Sequence, residues 1–314
     1  MPGRVGGSAT YPVSTTAQWE PLAVPADPRL VVAVVDTGVT VHDGRPHPYL
    51  HGHLTDSWSG SVDHLPTDGR RLGSTDGHGT AIGGLVLRQA PTATIHPDNV
   101  LDESVSRGAD EVVAAAIGRL VDRPAVKLIN LSFFGDEADE RAEPLLLKRA
   151  LAELFARRDD VLVVAAAGNS WSNAKVWPAA FSRVFDRLIA VGAVDTSLVP
   201  GPGAVPPKAS FSNYGTWVDA YAGGVDVLVP SCWYHETYGP DDRPPQDFTG
   251  WCRWGGTSFA AAIVTGRLAR AMADGASARD AREEVLRGVP VPMPGVPEEH
   301  WSPYVPSVTE IADA

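Results

Sequence analysis

Three short motifs carry the side chains needed to turn a hydroxyl into a nucleophile. Val35-Asp36-Thr37-Gly38 places an acid at the end of an apolar run. Asp76-Gly77-His78-Gly79-Thr80 sets a histidine between glycines, and Gly255-Gly256-Thr257-Ser258 opens a helical stretch with a serine. A serine hydroxyl is a poor nucleophile until a base takes its proton. A histidine supplies that base near neutral pH, and a buried aspartate fixes its tautomer and stabilises the imidazolium. Taken singly, each motif also has a plain structural reading, as a strand-end acid, a helix-start histidine or an N-terminal helix serine. A fourth segment, Gly168-Asn169-Ser170, follows the apolar residues 163–167 directly. Its amide can donate to the oxyanion of a tetrahedral intermediate, together with the Ser258 N–H. The alternative is a turn asparagine in a left-handed conformation.

These groups need elements that bring them together. Residues 30–35 form a continuous β-branched run, the pattern of a strand buried on both faces of a parallel sheet. Further strands are predicted at residues 93–96, 126–132, 161–166 and 188–194. Helices are predicted at 78–87, 109–121 and 141–157, with a hairpin from segments 225–229 and 247–254 and a last core helix over 258–273. Alternating strands and helices imply an α/β fold, doubly wound, with a mainly parallel sheet and helices on both faces. Residues 1–28 read as an irregular arm, 29–288 as a single domain and 289–314 as a Pro-rich, acidic surface tail.

With this order and these flanks, the chain resembles the subtilisin-like serine peptidases, or subtilases, over roughly residues 30–273. The chain order Asp, His, Ser is that of the subtilisin triad. The stretches 128–132, 189–194 and 209–213 resemble the family's substrate-binding strand and conserved core. The resemblance implies a serine endopeptidase. Ser258 attacks, His78 acts as base and then acid, Asp36 orients His78, and Asn169 with the Ser258 N–H holds the oxyanion. It also implies that an extended peptide or protein substrate pairs with a strand edge at Leu131, Ser132, Phe133, Phe134 and Gly135. Ala165, Ala166, Ala167 and Gly168 would line the pocket for the side chain before the scissile bond. No cofactor is required for such chemistry; structural calcium is frequent in the family, but no run here meets a specific ligand pattern. The restrictive features below suggest a protease devoted to maturing one peptide or protein. A catalytically silent peptide-binding pseudoprotease and a ligase or cyclase using the same acyl-enzyme are the alternatives.

Departures from the family pattern are informative. Ala81 stands where a second histidine is usual, and Ala262 and Ile263 replace a proline and a histidine after the serine. Phe134 occupies a position that is commonly glycine, so it reshapes a substrate pocket or, by strand alternation, points into the core. The stretch 230–254 carries Trp233, Tyr234, Tyr238, Phe248, Trp251 and Trp254 just before the nucleophile. It reads as an overhang above the cleft or as an ordinary surface hairpin.

Bulk properties exclude other classes. The 314 residues, 44% hydrophobic and 20% charged, suffice for one sizeable core. A net charge of -12 argues against nucleic acid, since phosphate binding needs a basic surface. No run reaches the roughly 18 apolar residues of a membrane span. Residues 1–20 lack the apolar core of a signal peptide, which implies a cytoplasmic protein if Met1 is the natural start, and a secreted one if a leader was trimmed. Cys232 and Cys252 leave a loop-closing disulfide and two free thiols equally open. His42, His47, His51, His53 and His64 crowd one loop; solvated histidines are the expected reading there rather than zinc ligands. Accordingly, no metal residue is assigned.

Overall fold

The computed structural model describes residues 11–73, 75–101, 109–133, 143–199, 204–239, 244–293 and 295–308. Its frame is a six-stranded parallel sheet. The strands are β1 (Val31–Asp36), β2 (Thr94–Asn99), β3 (Val126–Leu131), β4 (Leu162–Ala166), β5 (Leu188–Val194) and β6 (Ala220–Gly223). They lie in the order β2-β1-β3-β4-β5-β6. Every residue of β1 is buried, because helices cover both faces. Along β1, Val32 and Val34 pack towards helices α1 (His78–Gln89), α4 (Thr257–Ala273) and α5 (Ala278–Val285). Val31, Ala33 and Val35 pack towards α2 (Ala109–Val121) and α3 (Leu145–Arg157). At roughly 1.5–3 kcal/mol for each buried valine, this strand alone anchors much of the core.

The strand order reverses beside β1, so the ends of β1 and β3 diverge and leave a crevice at the carboxyl edge of the sheet. In open α/β sheets that crevice is where ligands bind. Asp36 closes β1, and Ser132 directly follows β3.

Beyond the sheet, β7 (Val227–His235) and β8 (Asp247–Trp254) form an antiparallel hairpin, longer than the segments expected from the sequence. Val13 and Ser14 add a short third strand by pairing with Arg253 and Cys252, so the N-terminal arm is not wholly irregular. Nor do residues 289–293 and 295–308 lie as a surface tail, while 309–314 fall outside the described residues. Val291, Met293 and Val305 are buried, and the segment bonds to β6 through Tyr221 N–H to Pro303 O at 2.9 Å and Val305 N–H to Tyr221 O at 2.7 Å. A parallel bridge between Tyr221 and Tyr304 covers what would be an open sheet edge. At its end, Val308 N–H donates to Gln89 Oε1 at 2.8 Å, latching the chain to the last residue of α1.

Both Cys232 and Cys252 are free and buried, and burial pushes each thiol up to about 12. Most of the hairpin's aromatic residues are structural. Trp251 packs edge-on to Trp19, Tyr49 and His47, while Trp233 stacks on His42 and His47. Tyr234 donates to Arg70 O at 2.7 Å and Tyr238 to Asp68 at 2.9 Å. The described part of the hairpin therefore grips the segments leading to the site.

The histidine-rich loop also resolves into separate partners. His47 Nδ1 accepts from Tyr49 N–H at 3.1 Å, so its Nε2 carries the proton given to Gly250 O at 2.8 Å. His53 contacts Ala93 O at 3.2 Å through Nδ1. Among the described residues, no group of three or more His, Cys, Asp or Glu is placed to hold a metal ion. Nor, among them, is any helix long and apolar enough to cross a membrane.

Candidate active site

Asp36 and His78 come together because two glycines let their backbones touch. A Cβ on Gly79 would lie 2.2 Å from Gly38 O, and one on Gly38 would lie 2.2 Å from Ser61 O. With that approach, both carboxylate oxygens of Asp36 face His78 Nδ1, at 2.8 and 2.9 Å. A buried carboxylate there keeps the proton on Nδ1 and leaves Nε2 as the basic nitrogen. The imidazole is held edge-on by Trp254 at 5.6 Å and by Phe259 at 5.7 Å between ring centres. Phe259 follows Ser258 in α4, so the base and the nucleophile helix share this packing.

Ser258 is the second residue of α4 and is 6% exposed. Its hydroxyl donates to Ser132 O at 2.9 Å, so in this conformation it is turned to the end of β3 rather than to His78. Ser132 Oγ lies 2.7 Å from Asn130 Oδ1 and 3.0 Å from Ser258 O, its one proton shared between these two acceptors, while Asn130 Nδ2 reaches Thr265 Oγ1 at 2.9 Å. These bonds fasten the nucleophile helix to β3.

Asn169 has a fixed orientation. Its Oδ1 accepts from Thr257 N–H at 2.9 Å and from Thr257 Oγ1 at 3.0 Å. A backbone N–H can only donate, so the oxygen must face Thr257 and Nδ2 becomes the free donor. That Nδ2 would lie 3.3 Å from a Cβ placed on Gly256, one residue before Thr257. The Ser258 N–H belongs to the first turn of α4, where amides have no partner inside the helix. Together they make two donors beside one hydroxyl, the composition of an oxyanion hole.

The loop carrying Asn169 is braced from behind. Gly168 adopts φ +94°, and a Cβ there would strike Asn213 Nδ2 at 2.5 Å. Asn213 Oδ1 accepts from Ser170 N–H at 3.0 Å and Ser172 N–H at 2.9 Å, and Asn213 N–H donates to Gly168 O at 2.9 Å. Trp171, between those serines, has φ +49° and is 64% exposed. Neither Asn213 nor Trp171 was singled out by sequence reasoning, although Asn213 closes a stretch that resembles the family core.

The remaining expected substrate-binding residues divide. Leu131 is buried on the α2–α3 side, and Phe133 packs against the same cluster. Ala165 and Ala167 are buried on that side, with Ala166 on the other. Gly168 uses its N–H on Thr257 Oγ1 at 3.0 Å. Phe134 and Gly135 lie outside the described residues.

A carboxylate, an imidazole, a hydroxyl and two oxyanion donors, in this chain order at the carboxyl edge of a parallel sheet, define a serine peptidase of the subtilisin architecture. The chain belongs to the subtilase family, whose family model matches residues 27–289. Thermitase of Thermoactinomyces vulgaris is 30% identical over 265 residues, covering 81% of this chain and 78% of thermitase. A thermophilic serine proteinase of Bacillus sp. strain AK1 is 34% identical over 208 residues, covering 63% of this chain but only 44% of that relative's length. Among solved structures, the prenylagaramide maturation protease PagA superposes with a TM-score of 0.62 at 21% identity, covering 89% of this chain and 92% of PagA. A lanthipeptide protease does so with a TM-score of 0.63 at 21% identity, covering 89% and 86%. Those two likenesses concern the fold.

Proposed function

We propose that this protein is an endopeptidase that hydrolyses peptide bonds through an acyl-enzyme on Ser258, and that it serves to mature a particular peptide or protein. The observation that carries the first part is the two-oxygen grip of Asp36 on His78 beside an asparagine whose free donor is fixed. In this reading the Ser258 hydroxyl leaves Ser132 O and turns to His78 Nε2, which takes its proton as Oγ bonds to the scissile carbonyl carbon. The oxyanion is held by Asn169 Nδ2 and the Ser258 N–H. His78 then protonates the leaving amine, and a water activated by the same nitrogen releases the acyl group. The substrate would lie extended beside Ser132 and Phe133, meeting residues 165–168 through their backbone because those alanine side chains are buried.

The narrower role draws on the aromatic walls around His78 and on the two structural neighbours, one described as a maturation protease and one as a lanthipeptide protease. Labelling with a fluorophosphonate tests the chemistry. Wild type is expected to react, while Ser258→Ala and His78→Ala do not. Folded wild type that fails to react would overturn the proposal in favour of a silent peptide-binding module. With a peptide that is cut, the summed product mass should exceed the substrate by one water. A joined or cyclic product would instead make the protein a transferase of acyl groups.

A further inference from the structure

One buried carboxylate outside the triad is tied to both catalytic motifs. Asp63 lies in the segment after the short 3-10 turn Asp56–Gly60 and is 9% exposed. Its backbone N–H donates to Val39 O at 2.8 Å, and Val39 N–H returns to Ser61 O at 2.9 Å, so this segment is stitched to the end of β1. Its Oδ2 accepts from Thr37 Oγ1 at 2.7 Å and from Gly77 N–H at 2.9 Å. Thr37 Oγ1 is itself the acceptor for Gly79 N–H at 2.9 Å. The two amides that flank His78, those of Gly77 and Gly79, therefore both end on Asp63, one directly and one through Thr37. The Thr37 N–H meanwhile donates to Asp36 Oδ1 at 2.8 Å. A single carboxylate oxygen thus sits where the aspartate motif and the histidine motif meet.

We infer that Asp63 is a positioning residue of the catalytic centre, holding the Asp36 and His78 backbones in register and adding a second negative charge behind the imidazole. This rests on the peptidase reading above. Asp63 touches neither substrate nor the reacting atoms; it acts through Thr37 and Gly77. The groups facing it are Asp36 across Thr37, Asp76 and His78 across Gly77, and the Cys232 thiol of β7. A cation near this set is Arg70, 3.8 Å from Asp76. Burial pushes the Asp63 carboxyl up to about 7, with Asp76 and Asp36 adding to the rise and the bonds from Thr37 and Gly77 opposing it. Its ionisation consequently falls near neutral pH, so the charge that Asp63 places behind the catalytic motifs changes across the range tested below.

The test uses the small fluorophosphonate probe, so no knowledge of the natural substrate is needed. The maximal labelling rate and half-saturating probe concentration are measured from pH 5 to 9 for wild type, Asp63→Ala and Asp63→Asn, alongside each melting temperature. Asp63→Ala is expected to lower the maximal rate about 10–100-fold with the half-saturating concentration nearly unchanged, as for a displaced catalytic group. Asp63→Asn keeps an acceptor for Thr37 and Gly77 and should recover most of that rate. Its pH profile should rise as one ionisation and reach its plateau at lower pH than wild type, whose limb extends to about 7. If Asp63→Ala does not fold, the Asp63→Asn profile decides alone. A labelled wild type whose profile Asp63→Asn leaves unmoved overturns this inference, as does a folded Asp63→Ala that labels at the wild-type rate. Folded wild type that does not label overturns the peptidase reading itself, and this one with it.

Discussion

Asn169 shows how one amide can be committed at both ends. Its oxygen is spent on Thr257, so replacing it with aspartate keeps that acceptor while removing the donor. Asn169→Asp is expected to fold normally and to lose about 10²–10³-fold in kcat with KM little changed, checked on any cleaved peptide. Trp171 poses the opposite case. A bulky residue at φ +49°, two residues past the oxyanion donor and 64% exposed, stores backbone strain with little burial in return. Trp171→Gly should therefore leave the melting temperature unchanged or raised, while KM for peptides rises; an unchanged KM would exclude a substrate contact. The side chains that do chemistry were legible in the sequence because each lies at or just past a strand end or at a helix start, with a glycine one or two residues away. Asp63 was not. Its partners Thr37 and Gly77 are 26 and 14 residues away, and nothing in a polar loop marks one acid for burial.

At the level of elements, close approach sets the geometry. Gly79→Ala would drive a methyl into Gly38 O, at 2.2 Å, and push the start of α1 away from β1. The expected outcome is a loss of about 1–3 kcal/mol or more in denaturant unfolding, with labelling of Ser258 falling alongside. The apolar runs of β1, β3, β4 and β5 announced themselves because strands buried on both faces carry no alternation. Helix α5 did not, since Ala278–Val285 is mostly charged and buries only Ala278, Ala281 and Val285. The stretch 289–308 misled for a related reason. Its prolines and acids signal a loop, yet a few apolar side chains and the bonds to Tyr221 suffice to seat it along β6. The aromatic residues of β7 and β8 left an overhang and an ordinary hairpin both open by composition, because their partners, Trp19, Tyr49 and His47, come from the far end of the chain.

For the whole molecule, two buried groups should shape stability against pH in opposite senses. Burial pushes His47 down to about 4, and its Nδ1 already accepts a proton-bearing amide, so the charged form has no place to put its second proton. Its contribution is present above pH 6.5 and is lost as pH falls towards 4, on the order of 3 kcal/mol. His47→Gln should flatten that part of the melting profile. Asp63, raised to about 7, contributes fully below its unfolded value of 3.8, and this is lost as pH rises through 7. Asp63→Asn should accordingly melt higher than wild type at pH 8, with the advantage gone near pH 4. The latch between Val308 and Gln89 bears on something else, the order in which the protein is made. The helix that begins with His78 gains the bond at its last residue only once residue 308 exists, and the serine itself enters long after the aspartate. A growing chain thus carries the aspartate and the histidine well before the serine, and the three can be brought together only after Ser258 has emerged.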